Sequence, residues 1–344
     1  MQMFYLSVTV LLTIMLAACA GPVPARPAAV ETPGDAVTAA PAPTDHLAPA
    51  GRPPRPNMTP GPPLTGSWSR TDLAKLSDIK RDIVYCTANG VALKMDMFSP
   101  RGKGDGPFPA AVYIHGGGWT GGDKAGGEGI SDAIELAGRG YIVSSVNYRL
   151  APQYKFPAQI EDVKCAVRHL RAKAAVYHLD GNRIGVWGTS AGGHLAALLG
   201  TTNLRDGFEG SGGYPEQSSR VQAVVDMFGP ADLKLEFALA NQRIVQQVFG
   251  ATSSDDPLIM QASPVSHVSS DAPPFLILHG EQDRLVPPAQ SRELYERLTA
   301  VGATATLVMV VNAGHSFVPM GGPISPTRQE ISRMVGDFFD KTLR

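Results

Sequence analysis

Ser190 stands in Gly188-Thr189-Ser190-Ala191-Gly192, directly after the apolar run Ile184 to Trp187 and directly before a stretch with helical spacing. The pentapeptide reads as a nucleophile elbow. Its flanking glycines let the chain reverse from strand into helix within a few residues, which holds the serine in a strained conformation with its Oγ above the sheet edge. Glycine and serine are common, so the string alone carries little. Here His115-Gly116-Gly117-Gly118 closes another apolar run, Ala110 to Ile114, 75 residues upstream of the serine, and Asp283 and His315 follow it in that order. Together these pieces describe an acyl-transfer site. A serine attacks a carbonyl carbon, and backbone N–H groups fixed in advance meet the negative charge of the tetrahedral intermediate.

A serine hydroxyl is a poor nucleophile at its own pKa, so it needs an adjacent base, and an imidazole near neutrality serves best. Eight histidines compete for that role. His46 lies in a Pro-rich stretch, His169 and His178 fall on or after a helix before the elbow, and His267 has no strand before it. His115 and His279 close apolar runs, and His194, four residues after the serine, reads as a packed residue of the elbow helix. His315 remains, in Ala313-Gly314-His315-Ser316-Phe317 after the last strand-like run. Asp283 is the candidate acid, 93 residues after the serine and 32 before His315, placed to accept the imidazole Nδ1–H and stabilise the imidazolium. Glu281 is its nearest rival, and Asp226 and Asp232, after the sixth strand, are the others.

Elements that must position these residues follow from the apolar periods. Runs near Asp82 to Cys86, Ala92 to Phe98, Ala110 to His115, Tyr141 to Asn147, Arg183 to Gly188, Val221 to Phe228, Pro274 to His279 and Thr304 to Val311 predict eight strands. Three- and four-residue spacing predicts helices over Ile130 to Arg139, Gln159 to Lys173, Ala191 to Gly200, Ala289 to Ala300 and Pro326 to Leu343. This alternation predicts an α/β fold with a mostly parallel sheet, and residues 67–344 suit one catalytic domain. The segment 230–264 is longer than an ordinary connection and carries helix-like Leu233 to Val248; it is the candidate lid.

Eight strands with an elbow after the fifth and His-Gly-Gly-Gly after the third resemble the α/β-hydrolase superfamily. His115-Gly116-Gly117-Gly118-Trp119, Tyr148-Arg149-Leu150-Ala151-Pro152 with Phe156-Pro157-Ala158, and Gly188-Thr189-Ser190-Ala191-Gly192-Gly193-His194 are similar to the hormone-sensitive-lipase-like esterases. Within that branch, Trp119, His194 and Asp226-Met227-Phe228-Gly229-Pro230 resemble the bacterial feruloyl and acetylxylan esterase-like carboxylesterases of the BD-FAE type. The resemblance covers roughly Asp82 to Leu343 and departs at Gln153, where many relatives carry Glu. It implies the α/β-hydrolase fold, a short lid, a limited acyl pocket, and oxyanion donors from the amides of Gly117, Gly118 and Ala191. Trp119 is expected either to line the substrate pocket or to pack under the loop.

The two ends of the chain carry different information. Met1 to Ala18 reads as an export signal, with an apolar core from Phe4 to Leu16 too short to span a membrane comfortably. Leu16-Ala17-Ala18-Cys19 resembles the lipobox of bacterial lipoproteins, which implies a lipid on Cys19 and a membrane-anchored location facing the periplasm or outside. No basic residue precedes Cys19, so a short uncleaved anchor or an unlipidated secreted form stays open. Residues 19–66 are rich in Pro, Ala, Gly and Thr and bury too little to offset the entropy of ordering, so they are expected to be a tether. Cys86 and Cys165, at the end of the first strand and in the middle of a helix, are expected to lie too far apart to pair and to serve as buried thiols.

Composition narrows the function class. Net charge is −1, with 30 Lys and Arg against 31 Asp and Glu, and no basic run exceeds a pair, so nucleic acid is not an expected partner. No His/Cys/Asp cluster has metal-ligand spacing, no Walker-type loop is present, and Gly116 to Gly122 lacks the spacing and acidic partner of a dinucleotide loop. Neither metal nor cofactor is expected. The sequence therefore predicts a serine carboxylesterase acting on short-chain or aromatic-acid esters, free or glycan-linked. The alternatives are an arylformamidase with the same three residues and a non-catalytic binding protein.

Overall fold

The computed structural model describes residues 70–344 except 127 and 235–241. The expected export signal, Cys19 and the tether lie outside the described residues, as does part of the candidate lid. Eight strands form one sheet: β1 (Ser77–Ala88), β2 (Val91–Pro100), β3 (Phe108–Ile114), β4 (Ile142–Val146), β5 (Leu179–Thr189), β6 (Ala223–Met227), β7 (Phe275–Gly280) and β8 (Ala305–Val310). Their order is β1-β2-β4-β3-β5-β6-β7-β8. β2 runs antiparallel to β1 and to β4, and every other pairing is parallel.

Near-continuous apolar strands arise because both faces are covered. Val112, Val186, Val224 and Ile277 point into one core, beneath α3 (Ala158–Ala172), α5 (Ala191–Thr201) and α8 (Ala289–Ala300). Their immediate neighbours Tyr113, Trp187, Val225 and Leu278 point into the other, under α2 (Ile130–Gly138) and α9 (Arg328–Leu343). The period of two along each strand sorts the side chains. Gly185 leaves room for a helix: a Cβ there would sit 2.5 Å from the Phe339 ring of α9. Two short helices, α1 (Arg70–Leu76) and α4 (Ala174–Tyr177), carry too little periodic signal to be read from sequence. Among the described residues of 230–264 the helices are α6 (Gln242–Phe249) and α7 (Pro257–Ala262), and Leu233 itself lies in a turn.

The thiol expectation fails. Cys86 and Cys165 form a disulfide, with Cα atoms 6.3 Å apart across 79 residues of sequence. Two elements expected apart lie side by side. Helix α3 packs against β1 as well as β5, so the middle of the helix lies over the end of the strand. Strand order alone does not reveal that, because the sheet's twist decides which strand end lies beneath a crossing helix.

Candidate active site

Parallel strands β3, β5, β6 and β7 end on one side of the sheet, and the expected residues gather there. Ser190 follows β5 directly and opens α5 with φ 54° and ψ −119°, a strained conformation for a residue with a side chain. Close packing allows only glycine on either side: a Cβ on Gly188 would strike the Gly192 carbonyl, and one on Gly192 would strike the Ile114 carbonyl of β3. The Ser190 amide donates to the Met227 carbonyl at 2.9 Å, tying the elbow to the end of β6. Beneath it, the Tyr113 and Thr189 hydroxyls lie 3.1 Å apart.

His315 follows β8 and reaches the serine. Its Nδ1 lies 2.7 Å from Asp283 Oδ2 and its Nε2 lies 3.1 Å from Ser190 Oγ. A carboxylate only accepts, so Nδ1 carries the proton and the neutral ring leaves Nε2 bare to accept from the serine. Phe228, at φ 45°, sets its ring edge-on to the imidazole at 4.9 Å. Asp283 lies in the loop after β7 and is buried. Its Oδ1 accepts from the Leu285 and Val286 amides at 2.8 and 3.0 Å.

A second imidazole touches the same carboxylate. His279, the penultimate residue of β7, is fully buried, with Nε2 3.3 Å from Asp283 Oδ2 and 2.9 Å from the Val286 carbonyl. Its Nδ1 lies 2.6 Å from Ser291 Oγ on α8. Burial by itself would raise the Asp283 pKa. The hydrogen bonds from His279, His315 and the Val286 amide outweigh it and hold the carboxyl well below the usual carboxylate range. Sequence reasoning set His279 aside as a strand-closing residue. Its position four residues before Asp283, on the strand that delivers the acid, was the available signal.

Rival acids are placed elsewhere. Glu281 is exposed. Asp232 Oδ1 accepts from the Lys234 amide. Asp226 Oδ1 accepts from the Gly229 amide at 3.0 Å, and its Oδ2 is buried with no hydrogen-bond partner among the described residues.

The Gly117–Gly118 loop borders the serine. Gly117 takes φ +113° and Gly118 φ +59°, and both line a cavity of about 380 Å³ together with Ser190, Ala191, Trp119 and His315. Ala191 is the first residue of α5, so its amide is one of the first-turn donors a helix cannot use internally. His115 supports the loop from below: its Nδ1 lies 2.7 Å from the Gly116 carbonyl and its ring stacks on Tyr148 at 4.4 Å. Trp119 is buried and borders the cavity. From the candidate lid, Pro230 and Ile244 reach the cavity wall. Among the described residues, no group of three or more His, Cys, Asp or Glu side chains is placed to hold a metal ion.

A family model described as BD-FAE matches residues 95–298, more than half the chain. The chain belongs to the BD-FAE family. Esterase LipC of Mycobacterium tuberculosis is 33% identical over 261 residues, covering 74% of this chain and 64% of LipC. A probable carboxylic ester hydrolase of the same organism, LipM, is 37% identical over 204 residues, 57% of this chain and 46% of LipM. This BD-FAE chain thus spans about half to two thirds of the length of these curated relatives. Among solved structures, a truncated carbohydrate esterase from gut microbiota superposes with TM-score 0.66 at 28% identity, covering 77% of this chain and 97% of that one. Propionate-bound esterase 2 of Thermogutta terrifontis superposes with TM-score 0.65 at 26% identity, covering 77% and 94%. The sheet order and flanking helices of this BD-FAE chain are those of the α/β-hydrolase fold.

Proposed function

We propose that this chain hydrolyses carboxylic esters through an acyl-enzyme on Ser190. The observation that carries the reading is the unbroken hydrogen-bonded chain from Ser190 Oγ through His315 to Asp283, opening on a cavity edged by Gly117, Gly118 and Ala191. As Ser190 Oγ bonds to the ester carbonyl carbon, its proton passes to His315 Nε2 and the carbonyl electron pair moves onto oxygen. Amides of Gly117, Gly118 and Ala191 receive that oxyanion. Collapse breaks the bond to the alcohol oxygen, which takes the proton from His315. Water then repeats the sequence from the other side: His315 removes its proton, oxygen adds to the acyl carbon, and Ser190 leaves with the proton restored. Asp283 fixes the tautomer throughout and stays ionised.

Names carried by the relatives, esterase and carboxylic ester hydrolase, support ester over amide chemistry. A cavity of about 380 Å³ walled by Trp119, Ile244, Leu285 and Val286 suits a short acyl chain or one aromatic ring. Each buried methylene adds about 0.8 kcal/mol only while room remains. A rate panel of p-nitrophenyl esters should therefore peak from acetyl to hexanoyl and collapse by dodecanoyl. Acetylated xylan, methyl ferulate and N-formylkynurenine belong beside it, and preference for the last would replace the ester with an amide. Replacing Ser190 or His315 by Ala should each lower kcat by roughly 10⁴ to 10⁶, with little further loss in the double variant, because such residues act as a unit. A His315→Ala enzyme keeping more than a tenth of the parent kcat overturns the mechanism.

The same reading places the enzyme outside the cytoplasm, held at a membrane by a lipid on Cys19. Its support is the sequence Leu16-Ala17-Ala18-Cys19 behind an apolar core and the Pro-rich stretch that follows. Deleting residues 1–66 should release the enzyme with kcat/KM on small esters nearly unchanged, and Cys19→Ser should abolish incorporation of labelled fatty acid.

A further inference from the structure

Trp119 follows the two loop glycines directly and takes φ +57°, in the region where a bulky side chain is an outlier. Such a conformation is strained and persists only where the surroundings over-determine it. Part of that constraint comes from the Ala151 amide, which donates to the Trp119 carbonyl at 2.9 Å, and part from a buried histidine. The Trp119 Nε1–H donates to His194 Nδ1 at 3.2 Å, and the two rings meet edge to face at 5.1 Å. Phe249 of α6 joins both rings, 5.3 Å from the indole and 6.2 Å from the imidazole.

His194 has its own anchor. It lies one helical turn after Ser190, its amide donating to the Ser190 carbonyl at 3.0 Å, and it is fully buried. Its Nε2 lies 2.7 Å from the Ala262 carbonyl at the end of α7. Indole nitrogen only donates and a carbonyl only accepts, so the network allows a single arrangement: Nε2 carries the proton and Nδ1 is bare. Burial holds the ring neutral, with its pKa pushed down to about 4, so the acceptor offered to Trp119 persists across the working pH range. A single imidazole therefore joins the elbow helix, the loop of Gly117 and Gly118, and helix α7.

We propose that His194 is a positioning residue which, through the Trp119 indole N–H, aims the Gly117 and Gly118 amides at the oxygen that becomes negative on Ser190. The inference rests on the ester-hydrolase reading above and adds to it the device that sets the loop. It distinguishes two duties of Trp119: its ring forms cavity wall, and its N–H sets the oxyanion loop. A mis-aimed loop weakens stabilisation of the transition state while leaving ground-state binding in place.

Trp119→Phe in the full chain removes the N–H but also leaves a smaller ring on the cavity wall, whereas His194→Ala removes the acceptor and leaves the indole whole, so a loss shared by both variants belongs to the hydrogen bond rather than to the wall. With p-nitrophenyl acetate, kcat should fall about 10- to 100-fold with KM within about twofold, below the 10²–10³ attributed to losing a whole oxyanion donor. Affinity for a trifluoromethyl ketone that forms a tetrahedral adduct should fall by a similar factor. His194→Gln keeps one acceptor and one donor and should retain more activity than His194→Ala, and adding Trp119→Phe to His194→Ala should cost little more than the worse single change. A Trp119→Phe enzyme with kcat within twofold of the parent, or one whose loss lies in KM alone, overturns the inference and leaves Trp119 as pocket wall. Ser190→Ala, run alongside, keeps the two questions apart. If it remains active, the acyl-enzyme reading has failed; if it is dead while Trp119→Phe is fast, only the positioning role has failed. Thermal melts of each variant exclude simple unfolding as the cause of a lost rate.

Discussion

Asp283 and Asp226 lie at the ends of neighbouring strands, are both buried, and both feel the field of His279. Their proton affinities diverge. Asp283 receives two backbone amides on one oxygen and two imidazoles on the other, and its carboxyl is held well below the usual range. Asp226 receives one amide, its Oδ2 has no hydrogen-bond partner among the described residues, and burial pushes its pKa up to about 6. Burial is common to both, so the count of donors decides which carboxylate gives up its proton more readily. An acid that must steady an imidazolium has to be the well-supplied one.

The comparison breaks most visibly at Asp283. Asp283→Asn should keep the fold and lose up to about 10⁴ in kcat, because the amide favours the wrong histidine tautomer. If Asp226→Asn or Asp232→Asn produced that loss instead, the acid would be misassigned.

His279 sharpens the contrast by a smaller step. His279→Gln leaves Asp283 with His315 and two amides, so kcat should fall roughly tenfold, with KM nearly unchanged and the residual activity still dependent on His315, as expected for a partner that orients the acid. A change in KM alone would show that His279 supports the cavity wall at Val286.

Asp226→Asn should do least to catalysis, leaving kcat within about twofold, and its effect should appear in stability. A folded-state pKa of about 6 lies above the unfolded value of 3.8. The wild-type protein therefore binds the extra proton when folded, and loses stability as pH rises through about 6. The full shift corresponds to about 3 kcal/mol. Asn carries no charge, so the variant should melt several degrees higher than wild type at pH 8, with the gain shrinking below pH 6 and gone by about pH 4. A gain that grew on acidification would contradict the buried-charge account.

How much of this was legible beforehand depends on the range of each interaction. The eight strands, the long helices after β3, β4, β5, β7 and β8, and the elbow were readable because their signals are local: an apolar period, two glycines, a helix start. Ser190, His315 and Asp283 followed from chain order, since a fixed strand sequence leaves few loops that can meet at one sheet edge. Asp226 stayed a rival because counting donors requires knowing which amides and imidazoles surround a carboxylate. His194 was read as a packed helix residue, which it is. Its bond to Trp119, 75 residues away, is invisible in any local pattern.

The sequence by itself determined the fold class, the chain order in which a serine, an acid and a base follow successive strands, and the glycine-rich loop beside them. Each rests on spacing within one element or on the order of elements along the chain. Tertiary structure alone decided the Cys86–Cys165 bond, the second imidazole on Asp283, the orphaned oxygen of Asp226 and the His194 link from elbow to loop. The disulfide and the His194 link join residues 79 and 75 apart on different elements, where the twist of the sheet and the packing of helices set the distance, while the His279–Asp283 contact and the Asp226 oxygen depend on how the loops after β7 and β6 turn. A few ångströms there separate a bond from a mere neighbour, and the linear pattern of residue types does not encode that difference.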